Sequence, residues 1–268
     1  MGADTKSLRN RIKSVDSTLH LTKAMGLVAS SKIRRATEAM LKGREYAAAV
    51  SDAVRLLITC PECKKSPYME KREGERVKLI VIAGDRGLAG GYNANVFRLV
   101  KEFPGADIIP IGKRTCDRFG EGFPSSEAFS YADAKALAET LCADFAAGEF
   151  DRLGILSTRY QSMMVQEAIV TWVLPLSADG TEGQNHSVLF EPNEMEILNA
   201  AVPEYVAGLL VAAARESFTS EVAARRTAMD AAGKNAQQMI DELQLEYNRA
   251  RQGAITQEIT EIVAGSGT

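Results

Sequence analysis

The chain has 268 residues, of which 46% are hydrophobic and 25% charged, with a net charge of −3. That is ordinary for a soluble protein of one or two domains. It leaves no run of about 18 or more uninterrupted apolar residues, so no membrane span is read from it. The most apolar run, 206–214, is too short, and the polar, charged start of the chain has no secretion-signal core. Four cysteines in a chain of this length do not make a disulfide framework, so free thiols in a reducing compartment are expected.

The first element carries the most regular pattern. Leu8, Ile12, Val15, Leu19, Thr22, Gly26, Ala29, Ile33, Ala36, Met40, Gly43, Ala47, Val50, Val54 and Leu57 follow one another by alternating steps of four and three. A seam held over about seven heptads predicts a coiled-coil helix with a left-handed supercoil. Its middle is small, at Thr22, Gly26 and Ala29. Glycine inside a helix costs about 1 kcal/mol relative to alanine, so a partner helix is expected to approach closely there. Pro61 ends the element, closing an N-terminal segment 1–60. Within it eleven Lys and Arg face five acids, a surplus of six, so the rest of the chain carries −9. A basic helix in an acidic protein points to an acidic partner, or simply to a solvated charged face.

Cys60-Pro61-Glu62-Cys63 has C-x-x-C spacing, but the other cysteines, Cys116 and Cys142, are isolated. Zinc needs four ligands and a redox pair needs an activated thiol, so a structural or incidental role is favoured. Residues 61–76, charged and containing Pro67 and Gly74, are assigned as a linker.

An α/β domain is expected over 77–192. Val77–Ala83 is short, apolar and β-branched, and the glycine-rich turn Gly84-Asp85-Arg86-Gly87-Leu88-Ala89-Gly90-Gly91 follows it. A helix from about Asn93 to Lys101 then gives the start of a doubly wound, Rossmann-like layout. Strands at Asp107–Ile111, Arg152–Ser157 and Val165–Leu174 are predicted, with helices at Lys113–Phe119 and Tyr131–Gly148 and a last edge strand at Ser187–Phe190. The glycine pattern matches neither the dinucleotide fingerprint nor the phosphate loop, and no lysine follows to reach a phosphate. Its glycines are read as permitting a tight turn and close helix packing.

Asn193, with Glu196 three residues on, resembles a capping box opening a last segment, 193–268. Pro203 suits the first turn of a long helix and Gly265 its end. Val222, Met229, Ala236, Leu243 and Ala250 recur every seven residues, with Ile240, Tyr247 and Ala254 interleaved. The stripe fails at Arg226 and Gly233 and shifts near the end to Ile255, Ile259 and Ile262. The tip therefore packs on another surface or leaves its partner. The simplest closure pairs the two terminal helices antiparallel within one chain, with the longer C-terminal helix projecting; an intermolecular coiled coil would also satisfy the seams.

Catalytic constellations are thin. His20 and His186 have no ligand cluster near them in sequence, and Glu258 with Glu261 marks no substrate pocket. Two other readings stand beside the paired-helix one: a nucleotide-dependent α/β enzyme with a coiled-coil arm, and a plain coiled-coil scaffold.

Three stretches resemble the γ-subunit family of F-type ATP synthases. The first is Arg11-Ile12-Lys13-Ser14-Val15, with Leu21-Thr22-Lys23-Ala24-Met25 and Val28–Ala36. The second is Asp85-Arg86-Gly87-Leu88 with Gly90, Gly91 and Asn93. The third is Glu242-Leu243-Gln244-Leu245, with Tyr247–Gln252 and Ile255–Ile262. The likeness covers essentially the whole chain. Ala89 stands where the family often has cysteine and Ser266 where alanine is usual. The cysteine-bearing insertion of the chloroplast form is absent, so thiol control of that kind is not expected.

The resemblance implies a non-catalytic rotor shaft with no cofactor, metal or nucleic acid. Its partners would be the α and β subunits of the catalytic ring, the ε subunit and the membrane c-ring. Association would be peripheral, on the cytoplasmic face of the inner or plasma membrane. It further implies that Lys23 and Met25 face acidic loops of β, that Arg251, Gln252 and Thr256 make polar contacts near the upper shaft, and that Ile259, Ile262 and Val263 sit in an apolar collar of the ring.

Overall fold

The computed structural model describes residues 2–72, 74, 76–177 and 190–265. The chain divides into two compact units, residues 1–30 with 225–268, and residues 31–224. Two long helices, α1 (Gly2–Ile58) and α5 (Glu194–Gly265), contribute to both.

In the first unit the helices run antiparallel. The Arg226 guanidinium donates to Ser30 Oγ, a Cβ on Gly26 would lie 3.7 Å from Met229 Cβ, and Thr22 Oγ1 lies 3.5 Å from the Cβ position of Gly233. Leu19, Ala236 and Ile240 close a small apolar cluster against Val15. Thr22, Gly26 and Gly233 thus meet with little side chain between them, the close approach expected from the small middle of the seam. Arg226 and Gly233, where the apolar C-terminal stripe is interrupted, are half-buried in it. Arg226 remains there because its head pairs with Asp230 at 3.0 Å and with Ser30.

Every described seam position of α1 from Leu8 to Leu57 is buried or half-buried, while most positions between them are exposed. In the second unit the same stripe packs on α5: a Cβ on Gly43 would lie 3.4 Å from Ala212 Cα, and Tyr46 lies against Gly208. Arg44 Nη2 reaches Glu216 Oε1 at 2.7 Å.

The second unit holds a four-stranded sheet of order β2-β1-β3-β4, formed by β1 (Val77–Ile82), β2 (Asp107–Ile111), β3 (Arg152–Tyr160) and β4 (Gln166–Leu174). β1 pairs in parallel with β2 and β3, and β4 is an antiparallel edge. Alternation along the strands splits the core. Leu79, Val81 and Leu156 point to α2 (Tyr92–Val100), where Val96 and Val100 cover them. Ile80, Ile82, Leu153 and Ile155 point to the other face. There they meet Leu141 and Phe145 of α4 (Tyr131–Ala147) together with Leu198, Val202, Val206 and Leu210 of α5. Ser130 and Asp133 form a capping box at the start of α4, and Gly148 closes it at φ 83. A short helix, α3 (Lys113–Phe119), follows β2.

Three sequence expectations change. α5 begins at Glu194, where Asn193 Oδ1 accepts from the Glu196 amide at 2.9 Å as the capping pair at 193 and 196 predicts, so Pro203 lies inside the helix and not in its first turn. β3 runs three residues beyond Ser157, held by pairing to β4. The region expected as a linker also folds in part, as two short 3₁₀ turns at Glu62–Lys65 and Pro67–Met69 that bury Cys63 and Tyr68 against the core. The edge strand expected at Ser187–Phe190 and His186 lie outside the described residues, apart from Phe190.

α5 also contains an 18-residue window of mean hydropathy 1.6, apolar and long enough to cross a membrane by composition alone. Half of that window is buried inside the protein. Apolar residues of α5 from Leu198 to Ala214 build the domain core, and this accounts for the hydropathy.

Candidate partner-contact site

In the first unit, what the two helices leave uncovered is as ordered as what they cover. Lys23 is exposed on α1 and Met25 is half-buried at the edge of the seam. Along α5, Leu243 is 6% exposed, but Ile255, Ile259, Ile262 and Val263 are 46%, 56%, 70% and 64% exposed. Arg251, Gln252 and Thr256 are exposed too, and the Thr256 hydroxyl donates to the Gln252 backbone O at 3.0 Å. The tip residues therefore share one stretch of helix. Lys23 and Met25 do not join them: Thr22 sits opposite Gly233, and Arg251 lies about 27 Å further along α5 at 1.5 Å per residue. They form two separate contact groups on one helical pair.

Leu21, Leu27 and Val28 were not singled out by the sequence pattern. They are 59%, 72% and 58% exposed, on either side of Lys23 and Met25. Their signal was available, since they are apolar residues falling off a seam that otherwise misses no step.

In the second unit the glycine-rich turn is tied down on every side. Asp85 Oδ1 accepts from the Ser126 amide at 2.8 Å and the Lys113 amide at 3.3 Å, while Oδ2 accepts from Ser125 Oγ at 2.6 Å. Asn93 Oδ1 accepts from the Gly84 amide at 3.0 Å, and Asn93 Nδ2 donates to Arg86 O. A Cβ on Gly84 would lie 2.6 Å from Glu221 Cδ, so the glycine admits a buried carboxylate of α5. Tyr92 and Ser217 hydrogen-bond at 2.7 Å, and burial, then the Glu221 charge, pushes the phenol well above its usual range. The carboxylates of Asp85 and Glu221 thus lie against the turn. The turn fastens β1 to α5, as its reading as a packing device expected. The polar residues Ser217, Thr219, Ser220 and Glu221, which follow the apolar stretch 206–214 of α5 and are buried, were the missed signal for this junction.

The four cysteines are free thiols. Burial raises Cys63 to about 11 and also raises Cys60, so neither is an activated nucleophile. No cluster of three or more His, Cys, Asp or Glu suited to a metal occurs among the described residues. His20 is exposed, 3.7 Å from Asp16.

Comparison with known proteins agrees with the three motif stretches. The ATP synthase family matches residues 4–268. The ATP synthase gamma chain of Ruminococcus albus is 41% identical, with 98% of each chain covered. The sodium-ion-specific ATP synthase gamma chain of Acetobacterium woodii is 36% identical, with 99% of each covered. In fold, the rotor of Euglena gracilis mitochondrial ATP synthase aligns with a TM-score of 0.64 at 16% identity, covering 95% of this chain and 100% of that one. A second Euglena chain, from the OSCP/F1/c-ring structure, aligns with a TM-score of 0.67 at 18% identity, covering 98% and 94%. The sequence likeness over the full length, with the matching fold, means that the chain belongs to the gamma-chain family of ATP synthases.

Proposed function

We propose that the chain is the central rotor shaft of an F-type ATP synthase, coupling ion translocation through the membrane sector to ATP synthesis and hydrolysis in the α/β ring. It is a non-catalytic subunit. The observation that carries this reading is the helical tip, which leaves the seam and keeps an ordered apolar face uncovered over Ile255–Val263. An asymmetric shaft cannot touch three equivalent β subunits equally. Its orientation therefore biases each catalytic site differently, and only such differential contact energy shifts their conformations.

Within this reading the chain works as four segments: the paired helix 1–60, a joint at 61–76, the α/β domain 77–192 and the long return helix 193–268. Lys23 and Met25 meet acidic loops of β. Arg251, Gln252 and Thr256 make polar contacts to β, and Ile259, Ile262 and Val263 run in an apolar collar. The α/β domain and the adjoining helices join ε and the c-ring. The protein is peripheral to a membrane-associated complex, on the cytoplasmic face of the inner or plasma membrane in a bacterial cell.

Two experiments test this. The tagged chain is expected to co-purify stoichiometrically with α and β subunits, as read by mass spectrometry. Lys23→Glu and Arg251→Glu are each expected to weaken ATP-driven ion pumping more than ATP hydrolysis in membrane vesicles. Unchanged coupling in both variants would remove the assigned contacts, and absence of α and β from the purified material would remove the shaft.

A further inference from the structure

The shaft reading leaves the Cys60-Pro61-Glu62-Cys63 pair unused, yet the turn that ends α1 brings its two thiols together. The Cys63 amide donates to Cys60 O at 3.1 Å and closes a four-residue turn. Pro61 stands inside that turn at φ −58 and ψ −36. A turn of this kind keeps its end Cα atoms within about 7 Å, and a disulfide spans about 4.4–6.8 Å between Cα atoms. The side chains interact as well. The Cys63 thiol hydrogen-bonds to the Cys60 sulfur, which favours the Cys60 thiolate and leaves the Cys63 proton harder to remove. The two positions differ in access. Cys63 is fully buried in the core, whereas Cys60 is half-buried at its edge. One thiol is therefore met from outside, and the other through its neighbour. The groups that act on the pair come from three elements. Thr59 hydrogen-bonds to Cys60, Glu62 faces Cys63, and Glu194 at the start of α5 acts on both. Burial is the largest influence, and with the two carboxylates it keeps both thiols protonated.

We infer that Cys60 and Cys63 form a reversible thiol–disulfide site that is oxidised by small disulfides of the glutathione type. The Cys60 thiolate attacks one sulfur of the small disulfide. An S–S bond forms to Cys60, and the other half leaves as a thiolate that takes up the proton Cys60 gave away. Cys63 then attacks the Cys60 sulfur. The Cys60–Cys63 bond closes, and the second half departs with the Cys63 proton. The protein has lost two electrons and two protons, and the small disulfide has become two thiols. Because both thiols stay protonated near neutrality, exchange is slow, and the pair receives oxidation rather than catalysing it. The inference does not depend on the shaft assignment, since Cys60, Cys63 and Glu194 belong to one compact unit of this chain.

The test incubates the reduced full chain, its fold checked by far-UV circular dichroism, with oxidised glutathione. Acid quenching, alkylation and peptide mass spectrometry then read each cysteine. The peptide holding Cys60 and Cys63 is expected to lose two hydrogens in mass and to regain them with dithiothreitol. The rate is expected to rise about tenfold from about pH 7 to 8, as the scarce thiolate grows with pH. Cys63→Ala is expected to stop at a stable glutathione adduct on Cys60. Glu194→Gln removes a neighbouring negative charge and is expected to speed the reaction about twofold. A glutathione adduct that persists on Cys60 of the unaltered chain would show that the two sulfurs cannot meet, and would overturn the pair. A bond between two chains, or no change at Cys60 and Cys63, would overturn it too. A rate that does not change with pH would overturn Cys60 as the attacking thiol.

Discussion

Two stretches of one helix behave in opposite ways. Between Met229 and Leu243 the stripe residues Met229, Ala236, Ile240 and Leu243 of α5 are buried against α1, while Met239 and Leu245, off the stripe, are exposed. From Arg251 to Gly265 the isoleucines keep helical spacing but shift by one position, and among the described residues they stay exposed. Composition hardly distinguishes the two; the phase of the stripe does. A partner supplied by the same chain must match the stripe along its whole length. A helix whose stripe drifts is instead prepared for a surface that another molecule provides.

The comparison can be broken by substitution. Leu243→Ala removes a buried seam side chain and is expected to cost about 2–5 kcal/mol, read from urea denaturation of the full chain. Ile259→Ala, on the exposed tip, is expected to change stability by no more than about 0.5 kcal/mol. Comparable losses in both would mean that the tip is also packed within the chain.

Glycines sharpen the contrast between a seam and a junction. Gly84→Ala would drive a methyl group into the buried Glu221 carboxylate, at an expected cost of about 1–3 kcal/mol. Gly26→Ala meets only ordinary contacts, at 3.6 and 3.7 Å, so helix propensity should dominate and stability should rise by up to about 1 kcal/mol. A loss at Gly26 would show that the helices there cannot separate even slightly. The same denaturation series reads both variants.

The smallest effect is acid-dependent and confined to the second unit. Arg76 donates to both oxygens of Asp151, at 3.1 and 2.8 Å, and its backbone amide adds a third bond at 3.0 Å. These bonds hold the Asp151 carboxyl below its usual range, against the opposing effect of burial. A depressed folded pKa means that this contribution is complete above the ordinary aspartate value near ~4 and fades as the pH falls through the lower folded value. Asp151→Asn should therefore lower stability at neutral pH and flatten the loss on acidification, seen as a shallower fall of the urea midpoint. An unchanged acid slope would mean that the pair does not set it.

Most of the fold was legible because its signals are periodic. The α1 seam named its buried face residue by residue, and the runs at 77–83 and 107–111 marked strands that pair in parallel. Capping chemistry at Asn193 located the start of α5 better than Pro203 did, because a proline inside a helix loses one hydrogen bond while an unfilled cap leaves several amides unsatisfied. The candidate contact residues were legible only through motif likeness. Periodicity could report that Ile255, Ile259 and Ile262 leave the seam, but not what they face.

By itself, then, the sequence determined the two stripes, the strand order of events along the chain and the family, since each is written in spacing or in contiguous motif. The tertiary structure alone decided what meets across long separations: Glu221 under Gly84, Asp85 against Ser126, and Arg44 against Glu216. The physical reason is that these are single contacts between non-periodic residues. No repeat announces them, and they come together only once the helices and sheet have fixed where each backbone runs.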